Sequence, residues 1–134
     1  MSDCIFCKIL RGEIPCYKVY EDDKVLAFLD IHPATRGHTL VVPKKHYIDI
    51  NDFPENEFGE FMKSVQTVAK GIIQYKEGLN ILQSNRKAAG QDVFHIHFHL
   101  IPRTSEDNVN VAKWTPVKVE DLTNVQEEIK KLLK

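Results

Sequence analysis

GQDVFHIHFHL, residues 90–100, sets a histidine on every second position from His95 to His99. Successive side chains of an extended chain point to opposite faces, so His95, His97 and His99 are predicted to line one surface of a β-strand. Phe94, Ile96, Phe98 and Leu100 fall on the other surface, an apolar row that reads as a core face. One side packs, and the other is free for chemistry.

Upstream, Leu79 to Gln83 reads as a strand that reaches the histidine strand through the polar loop Ser84 to Gly90, which suggests an antiparallel pair. His38 to Pro43 (HTLVVP) reads as a buried strand that Pro43 stops. Tyr17 to Glu21 and Val25 to Asp30 form a hairpin pattern around an acidic corner. Cys4 to Leu10 reads as a short helical turn ended by Gly12, which sets Cys4 and Cys7 on one side. From Glu57 to Gly78, Phe58, Phe61, Met62, Val65, Val68, Ala69, Ile72 and Ile73 recur at helical spacing. That stripe should cover one face of the sheet. Leu122, Val125, Ile129, Leu132 and Leu133 mark a second amphipathic helix, and Thr104 to Thr115 has little periodicity.

With 134 residues, 43% of them hydrophobic, the chain fits one domain with its own core. The net charge of -1 selects neither nucleic acid nor an anionic membrane as a partner. Nothing reads as a signal peptide or a transmembrane stretch, so the expected compartment is the cytoplasm. Cys4 and Cys7 in CIFC are spaced for one metal rather than for a disulfide framework, with Cys16 left over as a buried or half-buried thiol.

Imidazole serves as nucleophile, proton donor or metal ligand. A neutral ring nitrogen that attacks phosphorus forms a phosphohistidine, and flanking imidazoles can stabilise charge on the phosphoryl oxygens. The loop KAAGQ, which brings Gly90 and Gln91 up to the histidines, is built of residues that let backbone amides approach an anion. These features suit phosphoryl or nucleotidyl transfer. Two other readings stay open: a solvated polar face, and a zinc centre built from the histidines themselves.

GQDVFHIHFHLIP resembles the signature of the histidine triad (HIT) superfamily of nucleotide hydrolases and transferases. DCIFCKILRGEIP, VYEDDKVLAFLDIHPATRGHTLVVPKKH and GLNILQSN are similar in order and spacing to its bacterial-type nucleotide-binding branch, so the likeness covers residues 3–103. The resemblance implies an α+β, HIT-like fold with an antiparallel sheet of about five strands, one long helix and a C-terminal helix. It also implies a homodimer with a continuous sheet of about ten strands and the long helix at the contact. Residues 1–134 would form a single HIT domain with its core in 3–103 and an extension bearing the last helix in 104–134.

Carried over, the resemblance makes His97 the nucleophile on the α-phosphate of a purine nucleotide, releasing AMP through a nucleotidyl-histidine intermediate. His99 would hydrogen-bond the phosphate or its bridging atom, His95 would organise the central ring, and His38 matches a fourth histidine upstream. Asp30 would take both ribose hydroxyls, with Phe28, Ile31, Ile5, Phe6 and Ile9 around the nucleoside. Asn85 is the favoured contact in the loop that ends at Gly90 and Gln91. The likeness to bacterial members adds His46 and His95 to Cys4 and Cys7 as ligands of a structural zinc; no catalytic metal is expected. Two features depart from the pattern: Asp92 stands where many relatives carry a small hydroxyl residue, and Arg86 follows Asn85 where glycine is common. The expected activity is a nucleotide hydrolase of the adenosine phosphoramidase or dinucleoside polyphosphate type. Its alternatives are a non-catalytic nucleotide-binding or signalling module, and a zinc-dependent enzyme with the triad as its metal site.

Overall fold

The computed structural model describes residues 3–133. VLAFL and TLVVP are apolar at every position but one threonine and bury every residue, as strands covered on both faces must. They form β2 (Val25–Leu29) and β3 (Thr39–Pro43) of a five-stranded sheet. With β1 (Lys18–Glu21), β4 (Gly78–Leu82) and β5 (Phe98–Arg103), the order is β1-β2-β3-β5-β4, and every neighbouring pair is antiparallel. Both expected hairpins form. Helices α1 (Ile5–Leu10), α2 (Glu55–Ile72) and α3 (Leu122–Leu132) complete an α+β fold.

The period-2 alternation divides the core between the two faces of the sheet. Val25, Ala27, Leu29, Val41, Ile96, Phe98 and Leu100 pack with Phe61, Val65, Val68 and Ile72 of α2 and with Val125 and Ile129 of α3. Leu26, Phe28, Leu40 and Val42 pack on the opposite face with Phe6 of α1. His99 lies opposite Leu40 in the β3–β5 ladder, so its side chain falls on the α1 face. Phe28, on that face, meets Phe6 edge-on at 5.6 Å. The chemistry therefore sits between the sheet and the short N-terminal helix.

Two expectations are corrected here. The long helix runs over Glu55–Ile72 rather than Glu57 to Gly78. It starts at the N-cap Pro54, and beyond Ile72 the amides of Gln74 and Tyr75 reach only three residues back, to Gly71 and Ile72. Those tightened bonds end the helix and leave Ile73 52% exposed. The histidine segment is also not one strand: β5 begins at Phe98, so only His99 lies in the ladder. The Ile96 amide bonds to the Tyr47 carbonyl at 2.7 Å and His97 turns its ring back onto the His95 carbonyl, which takes residues 95–97 out of the ladder. Ile96, Phe98 and Leu100 keep their inward alternation, but Phe94 is 49% exposed and lies outside the core.

Gly37 makes the turn into His38. Its φ of +93° belongs to the left-handed region, and a Cβ there would come within 2.7 Å of the Tyr75 ring. Nothing larger fits between that ring and the entry to β3.

Candidate active site and metal centre

Backbone groups decide what each histidine can do, because a peptide N–H only donates and a carbonyl only accepts. The Ala34 N–H donates to His38 Nδ1 at 2.9 Å, so a neutral His38 carries its proton on Nε2. That proton is directed at His99 Nδ1, 2.9 Å away, so the proton of neutral His99 sits on Nε2. His97 Nδ1 donates to the His95 carbonyl at 2.9 Å, which leaves Nε2 of the neutral ring with a bare lone pair. His95 Nε2 donates to the Pro43 carbonyl at 2.9 Å, so its Nδ1 is the bare atom. The site thus presents one nucleophilic nitrogen, on His97, beside one N–H donor, on His99, with ring centroids 4.9 Å apart.

Burial keeps the rings of His38, His95 and His99 neutral. It is the leading cause that takes His38 down to about 3 and His99 to about 4, and the neighbouring imidazoles lower both further. His95 falls to about 4, again first through burial. Phe6 stands edge-on to His97 at 5.1 Å and fixes the plane of that ring.

The three imidazoles share the α1 face, as the alternation predicts, with Phe6 edge-on to both His95 and His97, but they meet different partners there. The ring of His95 reaches Cys4 and Cys7, and what His95 offers His97 is its carbonyl oxygen. Cys4, Cys7, His46 and His95 bring four donor atoms within 4.8 Å of one another. Sulfur to imidazole distances are 3.5 Å for Cys4 to His95, 3.3 Å for Cys7 to His46 and 3.6 Å for Cys7 to His95. Tetrahedral zinc, with bonds of about 2.3 Å to sulfur and 2.0 Å to nitrogen, requires roughly 3.5 Å between such atoms. The donor set therefore fits zinc, and the Pro43 carbonyl supplies the outer hydrogen bond that fixes the His95 tautomer. Burial first, and Cys4 second, push the Cys7 thiol up; a divalent cation would reverse that.

Asp30 is mostly buried, with Oδ1 accepting from the His32 N–H at 2.8 Å and Oδ2 3.5 Å from His38 Nε2. Burial raises its pKa. Phe28 and Phe6 are buried, Ile9 packs beside them, and Ile5 and Ile31 stay 46% and 62% exposed. In the 84–91 loop the side chains of Asn85 and Gln91 are committed to holding the loop rather than reaching outward. Asn85 Oδ1 accepts from the Ile50 N–H, and its amide pairs with Gln83. Gln91, 3% exposed, accepts from the Arg86 N–H and donates to the carbonyls of Ile48 and Val93. What this loop can offer an anion is its backbone, turned by Gly90 at φ +97°.

One neighbour of the His38–His99 pair comes from the stretch Thr104 to Thr115, which the sequence reading expects to shape leaving-group preference. Trp114 packs edge-on to His38 at 5.2 Å and His99 at 5.6 Å and donates from Nε1 to the His32 carbonyl. It is the chain's only tryptophan, and it lies in the aperiodic stretch. That coincidence was the available signal. Two cavities, about 220 Å³ beside Lys44 and Phe53 and about 250 Å³ beside Arg36 and Val109, have no histidine in their lining.

A family model described as HIT domain matches residues 11–106. The chain belongs to the HIT family. An uncharacterized HIT-like protein of Methanocaldococcus jannaschii is 50% identical over 128 residues, 95% of this chain and 98% of that one. An adenosine 5'-monophosphoramidase of Schizosaccharomyces pombe is 39% identical over 133 residues, 98% of each chain. The crystal structure of a zinc-bound histidine triad family protein from Mycobacterium smegmatis superposes with a TM-score of 0.88 at 35% identity, covering 98% of this chain and 94% of that one. The HIT fold expected for this chain is the fold it has, and nucleotide hydrolysis is an activity for which members of the family are named.

Proposed function

We propose that this HIT protein hydrolyses a purine nucleotide at its α-phosphate, releasing AMP through a nucleotidyl group held on His97. The observation that carries this is the pairing of a bare Nε2 on His97 with an N–H on His99, each set by a backbone group. The His97 lone pair attacks phosphorus. As the P–N bond of a phosphoramidate breaks, its electron pair goes to the departing nitrogen, which takes the proton from His99 Nε2. The His38 proton, 2.9 Å from the other nitrogen of that ring, offsets the charge left there. Water then attacks the same phosphorus, returns a proton to His99 and frees His97. His95 acts through its carbonyl, which holds the His97 ring in its tautomer.

In this reading Asp30 takes the ribose hydroxyls, Phe6, Phe28, Ile5, Ile9 and Ile31 surround the nucleoside, and the 84–91 loop presents backbone to the phosphate. Structural zinc binds at Cys4, Cys7, His46 and His95 and staples α1 to the segment before β5. The protein works as a cytoplasmic homodimer that joins two sheets edge to edge through β4, whose Ile81 is 52% exposed. Support comes from the phosphoramidase name of a relative matched along its whole length and from the zinc-bound structural neighbour.

The test is rapid-quench mass spectrometry of the unaltered protein after mixing with adenosine 5'-phosphoramidate. A rise of one AMP unit on a peptide containing His97 is expected. Binding of the nucleotide with no adduct and no turnover in the unaltered protein would make the chain a nucleotide-binding module instead.

A further inference from the structure

Asp92 Oδ1 lies 3.5 Å from His97 Nε2, the one atom of that ring left free for phosphorus. Its side chain is 80% exposed, so it stands at the mouth of the cleft and not in its wall. An exposed carboxyl ordinarily titrates at about 4, so the group is charged at neutral pH. Its field reaches across the cleft: after burial and the His32 contacts, its charge helps to raise the Asp30 carboxyl, and it acts on His99 as well. Arg86, one of the two basic residues of the 84–91 loop, is turned elsewhere, pairing with Asp49 at 3.3 Å. A negative charge therefore faces the place where a phosphoryl group must arrive.

We infer that Asp92 is a charge filter that sets the substrate class of this site, favouring an α-phosphate with one negative charge and a neutral or cationic leaving group. The inference rests on the nucleotide hydrolase reading above. A phosphoramidate carries one charge on its α-phosphate, and its leaving group is an amine. The AMP product carries close to two, because the second ionisation of a phosphate monoester falls near pH 6. A carboxylate at this position penalises the product more than the substrate, which speeds release. It also penalises substrates whose leaving group is itself a phosphate. Two unit charges about 4 Å apart repel by an amount worth roughly fivefold in affinity in water and well over a hundredfold at a protein-surface dielectric. For a carboxylate this exposed, about tenfold on the extra charge is the expected size.

Calorimetric titration of the intact protein, D92N and D92E with AMP and with adenosine tests this. D92N should bind AMP about tenfold more tightly and adenosine within twofold of the intact protein, and D92E should match the intact protein on both. In turnover, D92N should gain at least threefold more in kcat/KM with ADP than with adenosine 5'-phosphoramidate. AMP affinity unchanged or weakened in D92N, or equal gains on the two substrates, overturns the charge filter and leaves the hydrolase reading standing. Failure of all three proteins to bind either AMP or adenosine overturns both.

Discussion

His38 Nε2 and His99 Nδ1 stand 2.9 Å apart, and both rings are buried, so the bond between them has no water to compete with it. Its direction is imposed from outside the pair by the Ala34 amide, whose N–H occupies His38 Nδ1. A buried bond with an assigned direction makes His99 a proton donor on its outer nitrogen without any change of charge.

Replacing His38 with leucine keeps the volume and removes the donor. His99 is then free to take the other tautomer and lose its outward proton. We expect kcat to fall about tenfold to a hundredfold with KM within threefold, a loss at the lower end of general acid catalysis. Steady-state kinetics at one pH reads this, and an unchanged kcat would remove His38 from the relay.

Stability should fall as the solution is acidified from about pH 6.5 to 4.5. His38 and His99 are held near 3 and 4 in the fold, whereas an unfolded histidine titrates near 6.5. Below 6.5 the unfolded chain takes protons that the folded one refuses, so unfolding free energy drops with pH, by at most about 1.4 kcal/mol per unit for each group. Carboxylates such as Asp107, held low by Arg103, contribute their loss only below about pH 4. Urea midpoints at pH 7.5, 6.0 and 5.0 should therefore fall for the native sequence and fall less steeply in His38→Leu, where His99 still contributes.

Removal of zinc should separate structure from chemistry. Chelation followed by a thermal scan is expected to lower Tm by at least about 5 °C, because the metal binds the folded cluster of Cys4, Cys7, His46 and His95. The hydrolysis rate at 25 °C should stay within twofold. Loss of turnover on chelation, restored by zinc, would move the metal into the reaction.

Arg86 holds φ +74° and ψ 160°, a combination natural only to glycine. Arg86→Gly should stabilise the protein by about 1 kcal/mol, since relief of the backbone outweighs a single ion pair to Asp49 made by a side chain 73% exposed. Chemical denaturation measures it, and destabilisation by the same amount would mean the pair to Asp49 holds the loop.

Most of the architecture was legible because its signals are local. Continuous runs of apolar strand formers in VLAFL and HTLVVP placed the central strands, and three- and four-residue spacing placed α2 and α3. Helix ends were less legible. Ile73 continues the apolar stripe by spacing, yet the chain tightens there to turn toward β4, which depends on where β4 has to pair. The alternation of His95, His97 and His99 places all three rings on the α1 face, but it does not reveal that the His95 ring turns to Cys4 and Cys7, about ninety residues earlier.

Local periodicity was enough to mark which side chains are apolar, which strands they build and that His97 and His99 share a face, since these follow from backbone geometry over a few residues. Which nitrogen of each ring bears the proton, which histidine the cysteines engage, and that Trp114 covers the His38–His99 pair depended on distant partners: Ala34, Pro43, the N-terminal helix and the last third of the chain. A hydrogen bond acquires its direction from the group opposite, and only folding puts that group in place.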